Sequence, residues 1–80
     1  MEIEIVTPDK NVYSGEIKLV KLPGTGGSFE ILKNHAALVS TLEKGQIKVI
    51  DTHNDVKFFD INDGVVEVLN NKITVLLSSM

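Results

Sequence analysis

Residues 62–77, NDGVVEVLNNKITVLL, decide the fold class of this chain. Two apolar runs rich in valine, isoleucine and leucine are separated by Asn-Asn, and Asn-Asp-Gly precedes the first run. Such runs, bounded by Asn, Asp and Gly, are typical of β-strands joined by tight turns. Asp-Gly tolerates the positive φ of a type I′ turn, so residues 62–64 give the best hairpin signal. We predict one hairpin there and a second at Asn-Asn.

The same period-two alternation continues toward the N-terminus. EIEIVT, SFEIL and QIKVID each place two apolar side chains on one strand face. These pairs are Ile3 with Ile5, Phe29 with Ile31, and Ile47 with Val49. VYSG predicts one short strand and EIKLVKL another, with Ile17 and Val20 on opposite faces, and PGTGG predicts a flexible loop. KNHAALVSTL fits either one or two helical turns or an extended segment that joins a strand at Leu38.

Together these segments predict an all-β fold, an antiparallel sandwich or flattened barrel of eight or more short strands, in a single domain over residues 1–80.

The composition excludes several kinds of site. The chain is 42% hydrophobic and 24% charged, with a net charge of −3. It has no cysteine, which excludes disulfides and thiolate zinc sites. No cluster of lysine forms the footprint of a nucleic-acid-binding protein. No apolar run approaches the roughly 18 residues of a membrane span, and MEIEIV lacks the features of a signal peptide. We expect a soluble intracellular protein whose membrane association, if any, is indirect.

The motifs that carry chemistry are incomplete in this chain. GTGG at residues 24–27 departs from the dinucleotide pattern, because Phe29 stands at the third glycine position, and no Gly-Lys-Ser/Thr follows it. DINDG at residues 60–64 resembles part of a calcium loop, but its glycine comes one position early. His35 and His53 form no metal-binding pair, and no G-x-S-x-G elbow occurs. We therefore expect no catalytic residue, no metal and no cofactor.

His35, in GSFEILKNHAAL, leaves two interpretations open. The histidine can cap a loop or pack at a sheet edge, which is a purely structural role. Alternatively, it belongs to a mildly apolar interface beside the glycine loop, where small alanine side chains allow a partner to approach closely. The apolar members of that interface would be Ile31, Leu32, Ala36, Ala37 and Leu38.

This stretch resembles the N-terminal domain of the epsilon subunit of F-type ATP synthases. The family pattern of glycine, apolar residues, proline and then His-Ala-Pro-Leu is matched at Gly27, Phe29, Ile31, Leu32, His35, Ala36 and Leu38. Glu30 stands where glycine is usual, and Lys33 and Ala37 replace prolines, so the loop is less rigid by itself. IVTPDKNVYSGEI, LEKGQIKV and NDGVVEVLNNKITVL are similar to further family segments, in the same order along nearly all 80 residues.

The resemblance implies a flattened two-sheet β-sandwich of roughly ten strands. It also implies a non-catalytic subunit at the foot of the central stalk, peripheral to the cytoplasmic face of a bacterial inner membrane. Such a subunit binds the gamma subunit and rests on the c-subunit ring, so that ion-driven rotation is coupled to ATP synthesis. The isolated domain is expected to be a monomer that binds no nucleic acid and does not insert into the membrane.

The resemblance further implies which residues meet these partners. The residues expected at the c ring are Gly26, Gly27, Ser28, Phe29, Glu30, Ile31 and Leu32. In the family an acidic residue often stands at the position of Ser28, and here the acid is Glu30. His35, Ala37 and Leu38 are expected to face the gamma subunit. Typical members continue into a C-terminal helical hairpin, which is expected to be absent because the sequence ends at Met80.

Two other functions compete with this one. A small β-barrel that binds single-stranded nucleic acid or oligosaccharide needs aromatic platforms in a basic groove. The chain offers Tyr13, Phe29, Phe58 and Phe59, all of which an 80-residue core is expected to use. A carrier or regulatory module that works through the glycine loop is the third possibility.

Overall fold

The computed structural model describes residues 1–80 and contains eight β-strands and no helix. The predicted all-β class is confirmed, with eight strands instead of ten. No helix of the length and apolar character of a membrane span is present. The strands are β1 (Glu2–Thr7), β2 (Lys10–Gly24), β3 (Gly27–Leu32), β4 (Leu38–Leu42), β5 (Gly45–Asp51), β6 (Val56–Ile61), β7 (Gly64–Leu69) and β8 (Lys72–Leu76).

Strand β2 is 15 residues long and belongs to both layers of the sandwich. It contains the two strands that the sequence predicted separately at VYSG and EIKLVKL. Its first half pairs with β1, and β8, β7 and β4 follow in that order to form the first layer. Its second half pairs with β3 on one side and β5 on the other, and β6 completes the second layer. A single bridge between Gly24 and Leu42 joins β2 to β4 and links the two layers at one end.

One pairing departs from the antiparallel prediction. Strands β1 and β8 are parallel, with Ile3 beside Ile73 and Ile5 beside Val75. All other strand pairs are antiparallel. The first and last strands therefore lie side by side, a long-range pairing that local alternation does not reveal.

The core lies between the layers and is entirely aliphatic. The alternation correctly predicted five of its members, since Ile3, Ile5, Ile31, Ile47 and Val49 have no exposed surface, and Phe29 is half-buried beside them. Fifteen buried residues form one cluster, to which every strand contributes: Ile3, Ile5, Ile17, Val20, Leu22, Ile31, Leu42, Ile47, Val49, Ile61, Val66, Val68, Ile73, Val75 and Leu77. Each large aliphatic side chain that is fully buried contributes about 1.5–3 kcal/mol to folding.

A β-bulge corrects the prediction that Ile17 and Val20 face opposite ways. The β2–β5 register shifts between Ile17 and Leu19, so Lys18 is an extra residue in β2. An extra residue reverses the facing of the chain that follows it. Both Ile17 and Val20 are consequently buried, and Lys18 is exposed.

The predicted hairpin at residues 62–64 is wrong. Strand β6 pairs with β5, whereas β7 pairs with β4 and β8, so Asn-Asp-Gly crosses from one layer to the other. None of these three residues has a positive φ. The type I′ geometry occurs instead at Asn70 and Asn71, with φ of 51° and 62°, in the second predicted hairpin.

The glycine-rich loop is also shorter than predicted. Pro23 and Gly24 are buried members of β2, and Gly24 pairs directly with Gly27. Only Thr25 and Gly26 form the turn, and the Thr25 hydroxyl lies 2.8 Å from that of Thr41. The segment is therefore a tight β2–β3 hairpin.

Gly24 is expected to tolerate no side chain. A methyl group there would lie 2.7 Å from the Phe29 ring and 2.8 Å from the carbonyl oxygen of Gly27, whereas at Gly26 it would meet no atom within 4 Å. Gly24→Ala should lower the free energy of unfolding by about 1–3 kcal/mol. Gly26→Ala, the matched control, should change it by less than about 0.5 kcal/mol. Urea denaturation measures both, and equal effects would contradict the close packing at Gly24.

Asp51 shapes the β5–β6 turn. Its Oδ1 accepts hydrogen bonds from the backbone N–H groups of His53 at 2.8 Å and Asp55 at 3.0 Å. The Lys57 ammonium lies 3.5 Å from its Oδ2. Desolvation raises the pKa of Asp51, but the hydrogen bonds from Asp55 and His53 and the charge of Lys57 outweigh it and lower the pKa below its usual value.

This lowered pKa predicts a pH-dependent contribution to stability. The ionised carboxylate should stabilise the fold above the unfolded-state pKa of about 3.9, and the contribution should be lost as the pH falls through the lower folded-state pKa. Asp51→Asn should therefore be less stable than the parent at pH 7, and the difference should shrink toward pH 2. Thermal unfolding across this range tests it, with Asp55→Asn as control. A difference that does not vary with pH would contradict the assignment.

Candidate partner-binding surface

The segment 33–37 connects β3 in the second layer to β4 in the first. It forms a turn at residues 33–34 and has no regular secondary structure at residues 35–37, and β4 begins at Leu38, which excludes the helical alternative for KNHAALVSTL. Asn34 has a φ of 66°, and the backbone N–H of His35 donates to the carbonyl of Leu32 at 3.2 Å. All five residues of this segment, which we call the His35 loop, are exposed.

The His35 ring makes one hydrogen bond, between Nδ1 and the carbonyl oxygen of Ala36 at 2.7 Å. Because a carbonyl oxygen only accepts, Nδ1 must carry the proton. Nε2 then remains available on an exposed ring. No hydroxyl or carboxylate of the chain bonds to the imidazole, and no group of three metal-ligating side chains occurs near it or elsewhere. The imidazole is therefore exposed, with one ring nitrogen held by the Ala36 carbonyl and the other facing no side-chain partner in this chain.

An apolar patch begins where the His35 loop enters β4. Strand β4 pairs with β7, and Val39 stands directly opposite Glu67 on the outward face. Val39 is 71% exposed and Leu69 is 53% exposed, which are high values for aliphatic side chains. The patch surrounds a shallow concavity of about 310 Å³. We call it the Val39 patch, and its residues are Ala37, Leu38, Val39, Glu67, Val68 and Leu69. Val68 belongs to the core and only floors the concavity, and Leu38 is half-buried against that core.

Apolar surface continues along the same outward face of the first layer. Val65 on β7 pairs with Leu76 on β8, and these side chains are 38% and 53% exposed. Glu67 lies between Val65 and Leu69 on β7, so one acidic side chain interrupts the exposed aliphatic surface of this face. Exposed aliphatic residues that gather beside an ordered loop make this face the candidate interaction site.

The β2–β3 hairpin carries the residues predicted to meet the c ring. Gly26, Gly27 and Ser28 are exposed at its tip, and Glu30 is exposed along β3. Phe29 is half-buried and Leu32 is 52% exposed. Ile31 differs from the others, because its side chain is entirely within the core and is not accessible to a partner. Its contribution is to hold β3 on the sandwich.

The structure separates the two predicted groups of residues. The hairpin tip precedes β3 and the His35 loop follows it, so they lie at opposite ends of the same six-residue strand. At about 3.3 Å per residue, this separation is on the order of 17 Å. One small domain thus presents two surfaces far enough apart for two neighbours.

The outward face of the second layer carries an apolar row that the sequence analysis did not identify. Leu32, Leu19, Ile50 and Val56 are consecutive neighbours across β3, β2, β5 and β6. Val56 is 46% exposed. The signal was present in EIKLVKL, which has apolar residues on both faces, but only the register shows that they align.

The aromatic residues do not form a stacking platform. Tyr13 and Phe59 pack against each other with ring centroids 5.5 Å apart, and both adjoin the core together with Phe29. Phe58 was expected in the core but faces outward on β6 and is 54% exposed. One exposed aromatic ring does not favour the nucleic-acid alternative.

Comparison of the sequence with known proteins places the chain among ATP synthase epsilon chains in similarity. The family described as "ATP synthase, Delta/Epsilon chain, beta-sandwich domain" matches residues 1–80. The chain is 43% identical over 76 residues to an ATP synthase epsilon chain of Campylobacter jejuni, covering 95% of this chain and 59% of that one. It is 38% identical over 76 residues to that of Helicobacter pylori, with 95% and 61% covered. This chain therefore spans about three fifths of the length of these relatives.

Solved structures share the fold. A chain of the mitochondrial ATP synthase of Euglena gracilis superposes with a TM-score of 0.89 at 15% identity, covering 96% of this chain and 49% of that one. A chain from the central stalk and c-ring structure of the Tetrahymena thermophila mitochondrial ATP synthase gives 0.79 at 20% identity, with 95% and 61% covered.

Proposed function

The chain belongs to the ATP synthase delta/epsilon family through its β-sandwich domain, and from that premise we propose that it is a non-catalytic rotor subunit of the central stalk. In this role it links the gamma subunit to the c-subunit ring, so that ion-driven rotation is coupled to ATP synthesis. It would act peripherally at the cytoplasmic face of the inner membrane, as a monomer when isolated. The observation that carries the proposal is the Val39 patch beside the His35 loop.

The Val39 patch suits the gamma subunit because both its shape and its chemistry favour a protein partner. Val39 and Leu69 expose aliphatic surface whose removal from water would stabilise a complex by roughly 25 cal/mol per Å² before the costs of association. The His35 ring and Glu67 add polar groups at its edge and centre. Protein interfaces usually have an apolar centre and a polar rim. Glu67 departs from this anatomy, so it would need a cationic or hydrogen-bond-donating group on the partner.

The hairpin tip suits the c ring. Gly26, Gly27 and Ser28 expose backbone and small side chains, which allow close approach to the polar loops of another protein. Glu30 stands opposite Lys21 on the β2–β3 pair. Because the acid is at Glu30 instead of Ser28, we place the charged contact two residues further along β3 than is usual in the family.

Coupling between these surfaces follows from the sandwich itself. Strand β3 connects them directly, and Ile31 anchors that strand in the core. A close-packed interior has low compressibility, so displacement at one end is transmitted to the other. The domain would therefore carry load between two partners with no chemical step of its own.

Substitutions on the two outward faces test the gamma assignment. Val39→Asp should weaken binding to purified gamma subunit at least tenfold, because it places a charge in a desolvated apolar contact. Val56→Asp, at an exposed valine on the other face, should leave affinity within about twofold. Isothermal titration calorimetry measures both, with circular dichroism to confirm folding. Equal losses, or a loss only in Val56→Asp, would contradict the assignment.

A second pair of variants tests whether the hairpin tip contacts the c ring. Ser28→Trp at the hairpin tip should reduce co-sedimentation with detergent-solubilised c ring, while gamma binding remains unchanged. Thr52→Trp, in the exposed β5–β6 turn at the opposite end of the second layer, is the control. If the two tryptophan variants sediment alike with the ring, the hairpin tip is not the contact.

A further inference from the structure

Two asparagines that are 37 residues apart in sequence tie the His35 loop to the β7–β8 turn. The backbone N–H of Asn34 donates to Oδ1 of Asn71 at 2.7 Å. In return, Nδ2 of Asn71 donates to Oδ1 of Asn34 at 3.0 Å. We call this reciprocal pair the Asn34–Asn71 clasp. It is the only side-chain hydrogen bonding that connects the loop to another part of the chain.

Both residues of the clasp occupy the left-handed backbone region. Asn34 has a φ of 66° and Asn71 a φ of 62°. Glycine adopts this conformation without steric cost and would serve the two turns equally well. Glycine has no side-chain amide, however, so it would leave the loop untied. Asparagine both tolerates the backbone conformation and supplies a donor and an acceptor.

The Asn71 side of the clasp is held in the first layer by a backbone hydrogen bond and by the turn that contains it. The Asn71 carbonyl accepts a hydrogen bond from the backbone N–H of Glu2 at 3.0 Å, and the turn joins two strands of the first layer. The loop, in contrast, leaves the second layer at Leu32 and contains no proline to restrict its backbone. Its local hydrogen bonds, from the His35 N–H to the Leu32 carbonyl and from the His35 ring to the Ala36 carbonyl, do not reach the first layer. The clasp therefore fixes the loop relative to the Val39 patch, which is in the first layer.

We propose that Asn71 is a positioning residue for the gamma-binding surface. This inference rests on the proposed function. The clasp holds His35 and Ala37 in the orientation that continues the Val39 patch, so the free protein already has its binding-competent shape. Without the clasp, the loop samples other conformations, and the apparent affinity falls in proportion to the fraction of molecules that remain competent.

Asn71→Gly tests the proposal, because it preserves the positive φ and removes only the side chain. Asn70→Gly is the matched control, since Asn70 belongs to the same turn, has a φ of 51° and makes no side-chain hydrogen bond to the loop. Both variants should keep similar melting temperatures. Asn71→Gly alone should speed hydrogen exchange at the Asn34 amide about tenfold or more and weaken gamma binding about three- to tenfold.

The exchange measurement needs no partner, so it separates this inference from the proposed function. Fast exchange at Asn34 together with weaker gamma binding, in Asn71→Gly only, supports the positioning role. Unchanged exchange in that variant, or fast exchange with undiminished gamma binding, overturns it. If the parent protein itself does not bind gamma, the proposed function fails, and with it the role of Asn71 in binding, even where the exchange data confirm the clasp.

Discussion

Strand β2 runs through both layers of the sandwich, and the other strands are placed by pairing with it or with one of its neighbours. Its first half holds β1, its second half holds β3 and β5, and Gly24 at its end meets β4. The bulge at Lys18 keeps both halves facing a common interior. A chain of 80 residues without disulfides has a small free energy of unfolding. A strand shared by both sheets therefore strongly constrains how the two sheets are placed around the one aliphatic core.

The same constraint determines where the two proposed binding surfaces lie. Because β3 is anchored along β2 and buries Ile31, the hairpin tip and the His35 loop are held at its two ends. Because β4 pairs with β7, Val39 and Leu69 meet on the outward face although they are far apart in sequence. The surfaces differ in character, with small polar residues at the tip and exposed aliphatic residues at the patch. This difference suits two partners of different chemistry joined by one stiff domain.

The alternation of apolar and polar residues predicted the features that depend on neighbouring residues alone. Alternation predicted most of the strands and part of the core, since a residue such as Ile47 or Val49 is buried by its parity within a strand. It could not give the β1–β8 parallel pairing or the Lys18 bulge, because both depend on a strand distant in sequence. The turn signal at residues 62–64 was misleading for the same reason. Local chemistry permits a hairpin there, but β7 pairs with β4 and β8 instead of β6.

The candidate site also has residues that the sequence predicted and residues that only the strand pairing identifies. The His35 loop was recognisable from its residues, but Leu69 and Asn71 were not, because only the β4–β7 and β7–β8 pairings bring them to it.

The most direct test of the proposed gamma-binding surface is an NMR chemical-shift map of the isotope-labelled domain bound to purified gamma subunit. We expect the largest changes at His35, Ala37, Val39 and Leu69, with little change at Val56 and Phe58. Changes centred instead on the row from Leu32 to Val56 would contradict it.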